Sequence, residues 1–191
     1  MRPWVLLESA RVPDGGDLRL YERDGELAIH VDGRVLMTSR VHGSEEALAS
    51  AACEPIRARP NARVLIGGLG MGFTVAAALG HVSKTAQVIV AEVVPAVVKW
   101  NQGPLGRLAG HPLSDSRVSV REQDVARAIK SDRLGGFDAI LLDVDNGPNG
   151  LTRPANEWLY GTRGLAAAKK ALRPGGALGV EVGADFGEEP R

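Results

Sequence analysis

The sequence predicts an α/β protein: a doubly wound, mostly parallel sheet preceded by a small N-terminal antiparallel β-sheet. Three observations predict it. From Arg63 onward, short and nearly continuous apolar runs alternate with helical segments, the pattern of parallel strands covered on both faces. Residues 17 to 38 instead alternate apolar and polar side chains around Asp24-Gly25, a two-residue hairpin signal. The run Arg63-Val-Leu-Ile passes straight into glycines at 67, 68, 70 and 72, so a strand ends in a turn that a ligand can approach closely.

The elements follow in order. Strands are expected over 17–23, over 26–32 after the hairpin turn, and over 35–38 beyond Gly33. Ser44, followed by Glu45-Glu46 and an Ala-rich run, predicts a helix with Ser44 as N-cap that ends near Pro55 and Pro60. Beyond it the pattern predicts strand 63–68, helix 71–80, strand 86–91, helix 95–101, strand 117–121, helix 123–131, strand 137–143, helix 162–172 and strand 176–182. Leu172-Arg-Pro-Gly-Gly176 is read as the stop of the last helix. The domains expected are residues 1–42, the small sheet, and 43–191, the α/β unit.

Composition narrows the function classes. Lys plus Arg equals Asp plus Glu at 23 each, so net charge gives no broad attraction to nucleic acid or to an anionic membrane. The single cysteine, Cys53, allows no intrachain disulfide and is read as a small buried apolar residue. No apolar run reaches the roughly 20 residues that span a bilayer, and residues 1–30 carry charges throughout. The expectation is a cytoplasmic protein.

At the carboxyl ends of the predicted strands stand four acids: Glu92, Asp124, Asp143 and Asp145. Glu92 follows the glycine turn at the distance expected of a carboxylate that accepts from two ribose hydroxyls. Asp124 suits an exocyclic amine or, equally simply, the cap of the helix after it, and Asp143 suits a cationic part of the ligand. A dinucleotide fingerprint needs a third glycine at 73, where this chain has Phe73. Asp143, Asp145 and Asn146 lack a fourth oxygen ligand, so no metal is expected. Trp158 and Tyr160 are candidates to wall a substrate pocket or to pack a loop. His30, His42, His81 and His111 fall on unrelated elements and are read as surface or turn residues.

The glycine turn, the acid ending the second strand and the acid after the third together resemble the class I S-adenosylmethionine-dependent fold. Leu65-Ile-Gly-Gly-Leu-Gly-Met-Gly72, Val90-Ala-Glu-Val-Val-Pro-Ala-Val-Val98 and Phe137-Asp-Ala-Ile-Leu-Leu-Asp-Val-Asp-Asn-Gly-Pro148, with the N-terminal strand cluster, are similar to the spermidine synthase family of aminopropyltransferases. The resemblance covers roughly residues 17–182. It implies an adenosyl pocket: Gly68, Gly70 and Gly72 beside the amino-acid-derived tail, Glu92 on the ribose, Val93 against the adenine and Asp124 on its amine. Asp143 matches the first aspartate of the family's catalytic segment. The second would fall at Asn146, so either Asp145 takes the role of proton acceptor through a shorter loop or the role is absent.

Several departures bear on the reaction. Gly70 stands where the family has an aspartate, Leu36 where it has a glutamine, and Val41-His42 where it has an acidic pair. Glu45 and Glu46 are the acids left to replace part of that charge. The resemblance implies aminopropyl transfer from decarboxylated S-adenosylmethionine to a small amine. The loss at Gly70 leaves methyl transfer from S-adenosylmethionine as an alternative. A non-catalytic adenosyl-binding regulatory module is the alternative of another class. Related folds continue beyond the fifth strand, so a sheet edge is expected to be open, which a dimer partner or a truncated gene would explain; a homodimer is the expectation.

Overall fold

The computed structural model describes residues 2–12, 16–131, 136–144 and 155–181, of which 155–157 are described by their backbone alone. The N-terminal sheet has four antiparallel strands in sequential order, β1 (Val5–Arg11), β2 (Asp17–Arg23), β3 (Glu26–Val31) and β4 (Arg34–Thr38). Asp24-Gly25 forms the turn between β2 and β3, and Asp32-Gly33 repeats it between β3 and β4, each pair with positive φ. Strand β1 was not predicted. Val5-Leu-Leu breaks the period-2 pattern, and the ladder to β2 is bulged between Leu6 and Glu8, leaving Val5, Leu6 and Leu7 all exposed on an edge.

Helix α1 (Gly43–Cys53) begins one residue before the expected cap. His42, not Ser44, holds the N-cap position, without a capping side chain, while the Ser44 hydroxyl donates to Glu45 Oε2 at 2.8 Å. The two acids in the first turn complement the helix dipole instead. Cys53 is fully buried at the other end, and burial pushes its thiol up to about 12.

The second sheet is wholly parallel: β5 (Arg63–Gly67), β6 (Gln87–Glu92), β7 (Val118–Glu122), β8 (Phe137–Leu142) and β9 (Leu172–Val180), in the order β7-β6-β5-β8-β9. The helices between are α2 (Phe73–His81), α3 (Pro95–Gln102), α4 (Val125–Ser131), α5 (Ala155–Tyr160) and α6 (Thr162–Ala171). The chain runs outward from β5 in one direction, then returns to start β8 on its other side, which opens a crevice at the carboxyl ends of β5 and β8. Strand β9 starts four residues before the expected 176. Residues 172–176 form an irregular entry with a register shift against β8, because Pro174 has no N–H for the ladder.

Two apolar cores cover the two faces of this sheet. Trp100, Ile56, Val64, Ile66 and Val75 belong to the core that also takes in the inner face of the N-terminal sheet through Leu20, Leu27 and Ile29. Leu65, Phe137, Ile140, Leu159 and Ala168 form the other. The N-terminal sheet is tied to α3 by Glu8, whose Oε2 accepts from Trp100 Nε1 at 3.0 Å and lies 3.4 Å from Lys99 Nζ.

At the amino ends of the strands, buried Asp138 fastens three of them together. Its Oδ1 accepts from Arg59 Nη1 at 3.0 Å, and its Oδ2 from the Arg63 N–H and from Arg173 Nη1, both at 2.8 Å. Arg59 continues to the Gly175 carbonyl at 2.8 Å. Replacing Asp138 by Ala removes the carboxylate that accepts from the Arg63 N–H and from the Arg59 and Arg173 guanidiniums. The expected loss in urea unfolding is about 3 kcal/mol, with the fold's carboxyl-end crevice unaltered in ligand titrations.

Arg117 does the same work for α2. Its Nη1 donates to the Leu79 carbonyl at 3.1 Å and the Ser83 carbonyl at 3.3 Å, and Asp115 orients it through bonds of 2.8 and 3.0 Å. The side-chain hydrogen bonds from Arg117 hold the Asp115 carboxyl down at about 2, against an ordinary 3.8. A depressed folded-state pKa contributes stability that is present above the unfolded value and is lost as pH falls through the folded one. Acid unfolding of the native chain should therefore steepen between about pH 4 and pH 2, and Asp115→Asn should flatten that limb in a pH-stability series.

Candidate active site

Each of the inner strands delivers one group to the crevice. Strand β5 ends at Gly67, and Gly68 then turns with φ +90°. A Cβ there would overlap the carbonyl of Asp143, the residue after β8, so only glycine lets the two backbones meet. The clamp is completed by Asp143 N–H donating to the Gly67 carbonyl at 2.9 Å and Gly68 N–H donating to the Ala91 carbonyl at 2.9 Å.

Strand β6 ends at Glu92, only 7% exposed. Its Oε2 accepts from Leu69 N–H at 3.0 Å and its Oε1 from Val94 N–H at 2.7 Å, so the carboxylate joins the glycine turn to the start of α3. Burial raises its pKa, and the N–H groups of Val94, Leu69 and Val93 pull partly the other way. Beyond β7, Asp124 accepts from Ala126 N–H at 2.7 Å and so caps α4, and it also lines the crevice. Beyond β8, the Asp143 carboxylate accepts from the buried Thr74 hydroxyl in the first turn of α2.

These groups surround one cavity, with about 860 Å³ of non-atom space, part of it open to solvent. Gly68, Gly70, Glu92, Val93, Asp124 and Asp143 all line it. Gly72 does not. It sits behind the turn, where a Cβ would lie 2.8 Å from Asn101 Oδ1. Asp145 and Asn146 lie outside the described residues. The inner face of the N-terminal sheet roofs the cavity with Leu18, Ile29, Leu36 and Met37.

Gly70 is covered by that roof: a Cβ built on it would lie 2.9 Å from Met37 Cε and 3.3 Å from Met37 Sδ. Its carbonyl accepts from Asn101 Nδ2 at 2.8 Å, the same amide donating to the Val97 carbonyl at 2.9 Å. Neither aromatic candidate lines the cavity. Tyr160 donates to the Val144 carbonyl at 2.6 Å, packing the segment after β8, and Trp158 carries Lys130 Nζ 3.9 Å above its ring. None of the four histidines lines it either. Among the described residues, no group of three or more His, Cys, Asp or Glu could hold a metal ion.

No protein-family model matches the chain. It is 29% identical over 167 residues to polyamine aminopropyltransferase 2 of Streptomyces coelicolor, covering 85% of this chain and 28% of that protein. It is 34% identical over 125 residues to putrescine N-methyltransferase 1 of Nicotiana tabacum, covering 65% of this chain and 32% of that one. The crystal structure of spermidine synthase from Thermotoga maritima superposes with a TM-score of 0.69 at 20% identity, over 88% of this chain and 54% of that one.

The chain is similar in sequence to polyamine aminopropyltransferases and in fold to spermidine synthase. It spans about a third of the length of these curated relatives and about half of the solved structure. Of the residues singled out in the sequence, Gly68, Gly70, Glu92, Val93, Asp124 and Asp143 line one cavity and Gly72 does not, while Met37, which also lines it, and Thr74 and Asn101, which bond to its lining, were not among the candidates. Thr74 had a signal: it is the one hydroxyl in the apolar run Phe73–Leu79. Met37 had none, because its place over Gly70 depends on how the two sheets pack.

Proposed function

We propose that this chain binds an adenosyl sulfonium donor and transfers an aminopropyl group to the nitrogen of a small amine. One observation carries the reading: Gly68, Gly70, Glu92, Val93, Asp124 and Asp143 line a single cavity at the strand crossover of a spermidine synthase-like fold. The close backbone approach at Gly68 suits a donor tail lying along the turn, and Glu92 suits a ribose, since each oxygen that accepts one N–H retains a lone pair for a hydroxyl. Val93 and Asp124 suit the adenine.

In this reaction the amine nitrogen attacks the carbon next to the sulfonium, the carbon–sulfur bond breaks, and its electron pair returns to sulfur, releasing methylthioadenosine. The proton lost by the attacking nitrogen goes to a carboxylate, for which Asp145 is the candidate and Asp143 the neighbour that faces the donor's charge. Positioning supplies most of the rate. Decarboxylated S-adenosylmethionine is the donor, the acceptor is a small polyamine-like amine, and neither nucleic acid nor membrane is a partner.

A second reading has its own support. Met37 rather than a carboxylate covers Gly70, and the putrescine N-methyltransferase of Nicotiana tabacum is also similar. In that case S-adenosylmethionine donates its methyl group to the amine and S-adenosylhomocysteine leaves. We also propose a cytoplasmic homodimer, in keeping with the single buried cysteine and with the apolar edge of β1, where Val5, Leu6 and Leu7 stand exposed.

Calorimetry with methylthioadenosine, decarboxylated S-adenosylmethionine and S-adenosylmethionine tests the adenosyl site, and silence from all three ends the proposal. Glu92→Gln should weaken methylthioadenosine by about tenfold or more. Spermidine formed from putrescine and the decarboxylated donor supports aminopropyl transfer, and N-methylputrescine formed from S-adenosylmethionine supports the second reading. Sedimentation that returns a monomer mass would refute the dimer.

A further inference from the structure

Asp143 is held more firmly than a residue lining a cavity open to solvent requires. Its N–H is bonded to the Gly67 carbonyl at 2.9 Å, and its own carbonyl fills the space that a Cβ on Gly68 would need, so both of its backbone groups are engaged at the turn. The carboxylate then accepts a hydrogen bond from Thr74, which is 2% exposed and lies in the first turn of α2. An aspartate beside open cavity space can be solvated by water, so the bond from Thr74 is not needed to satisfy it. What the bond does is fix the side-chain rotamer.

The source of that bond matters. Phe73 and Val75 flank Thr74, and the rest of the helix to Leu79 is apolar, so the hydroxyl is a single polar contact carried by an otherwise hydrophobic helix. It crosses from the segment after β5 to the segment after β8, the two sides of the crevice. A side chain acting through another in this way is a positioning residue, and its effect should be confined to whatever Asp143 touches.

We infer that Thr74 orients the Asp143 carboxylate toward the cationic tail of the sulfonium donor and thereby sets the preference of the site for charged over uncharged adenosyl ligands. The inference rests on the adenosyl reading above. Methylthioadenosine ends in a neutral methyl group and has no ammonium, whereas decarboxylated S-adenosylmethionine carries a sulfonium and an ammonium. The two share the adenosine that Glu92, Val93 and Asp124 face. Loss of the Thr74 hydroxyl should thus cost the second ligand and spare the first.

The test is calorimetry with this ligand pair on wild type, Thr74→Val and Thr74→Ser. Thr74→Val should leave methylthioadenosine within about twofold and weaken the cationic ligand by about tenfold, as expected for misplacing one charge-assisted contact. Thr74→Ser, which keeps the hydroxyl, should restore the preference. In an Asp143→Asn background Thr74→Val should add nothing further. Equal weakening of both ligands would make Thr74 a packing residue and overturn the inference, as would an unchanged preference or a serine variant that behaves like valine. If Thr74→Val does not fold, Thr74→Ala against Thr74→Ser makes the same comparison. Wild type that binds neither ligand overturns the adenosyl reading, and this inference with it. Wild type that binds both, with no split in the variants, overturns the inference alone.

Discussion

The constraint on which the site depends is the approach of two backbones at the crossover of the parallel sheet, where the carbonyl of Asp143 fills the space a Cβ on Gly68 would need. Strands β5 and β8 are paired in register through Gly67 and Leu142, and the chain leaves both strands at the same level. With no side chain at 68, the turn can fold over the end of β8 instead of around it. That brings Leu69 N–H within reach of Glu92 and starts α2 where Thr74 meets Asp143. Geometry at three strand ends therefore follows from the absence of one Cβ.

Glu92 adds a cost to this arrangement. A carboxylate 7% exposed is disfavoured by burial, and two backbone N–H bonds at 3.0 and 2.7 Å offset part of that. The same bonds hold the glycine turn to the start of α3, so the group that strains the electrostatics also rigidifies the loop. The roof is attached separately, through Glu8 and Trp100, and its contribution to the cavity is apolar: Leu18, Ile29, Leu36 and Met37. Polar groups at the site thus come from the parallel sheet and its turns, and the apolar cover comes from the N-terminal one.

Much of this was legible in the sequence because it is local. The apolar runs at 64–66, 88–90 and 139–142 declare buried parallel strands, and each ends beside its glycine or acid within a few residues. What was not legible depends on partners far away in the chain. Strand β1 has no alternation to betray it and exists through pairing with β2. The α1 cap was misassigned to Ser44 because Gly43 can join the helix and moves its start by one residue. Of the two sequence readings of Asp124, the cap on α4 is seen directly, and the same residue also lines the cavity. Met37 and Thr74 join the site through contacts with residues at 70 and 143, distances in sequence that no motif spans.

The Asp138 knot lies at the amino ends of β5, β8 and β9, and the cavity lies at their carboxyl ends. Strands β5 and β8 between them are buried and largely apolar. This separates the Asp138 ion-pair network from the residues that line the cavity. The cavity lining and the Asp138 knot thus share no residue, and a substitution at one pole leaves the hydrogen bonds of the other in place.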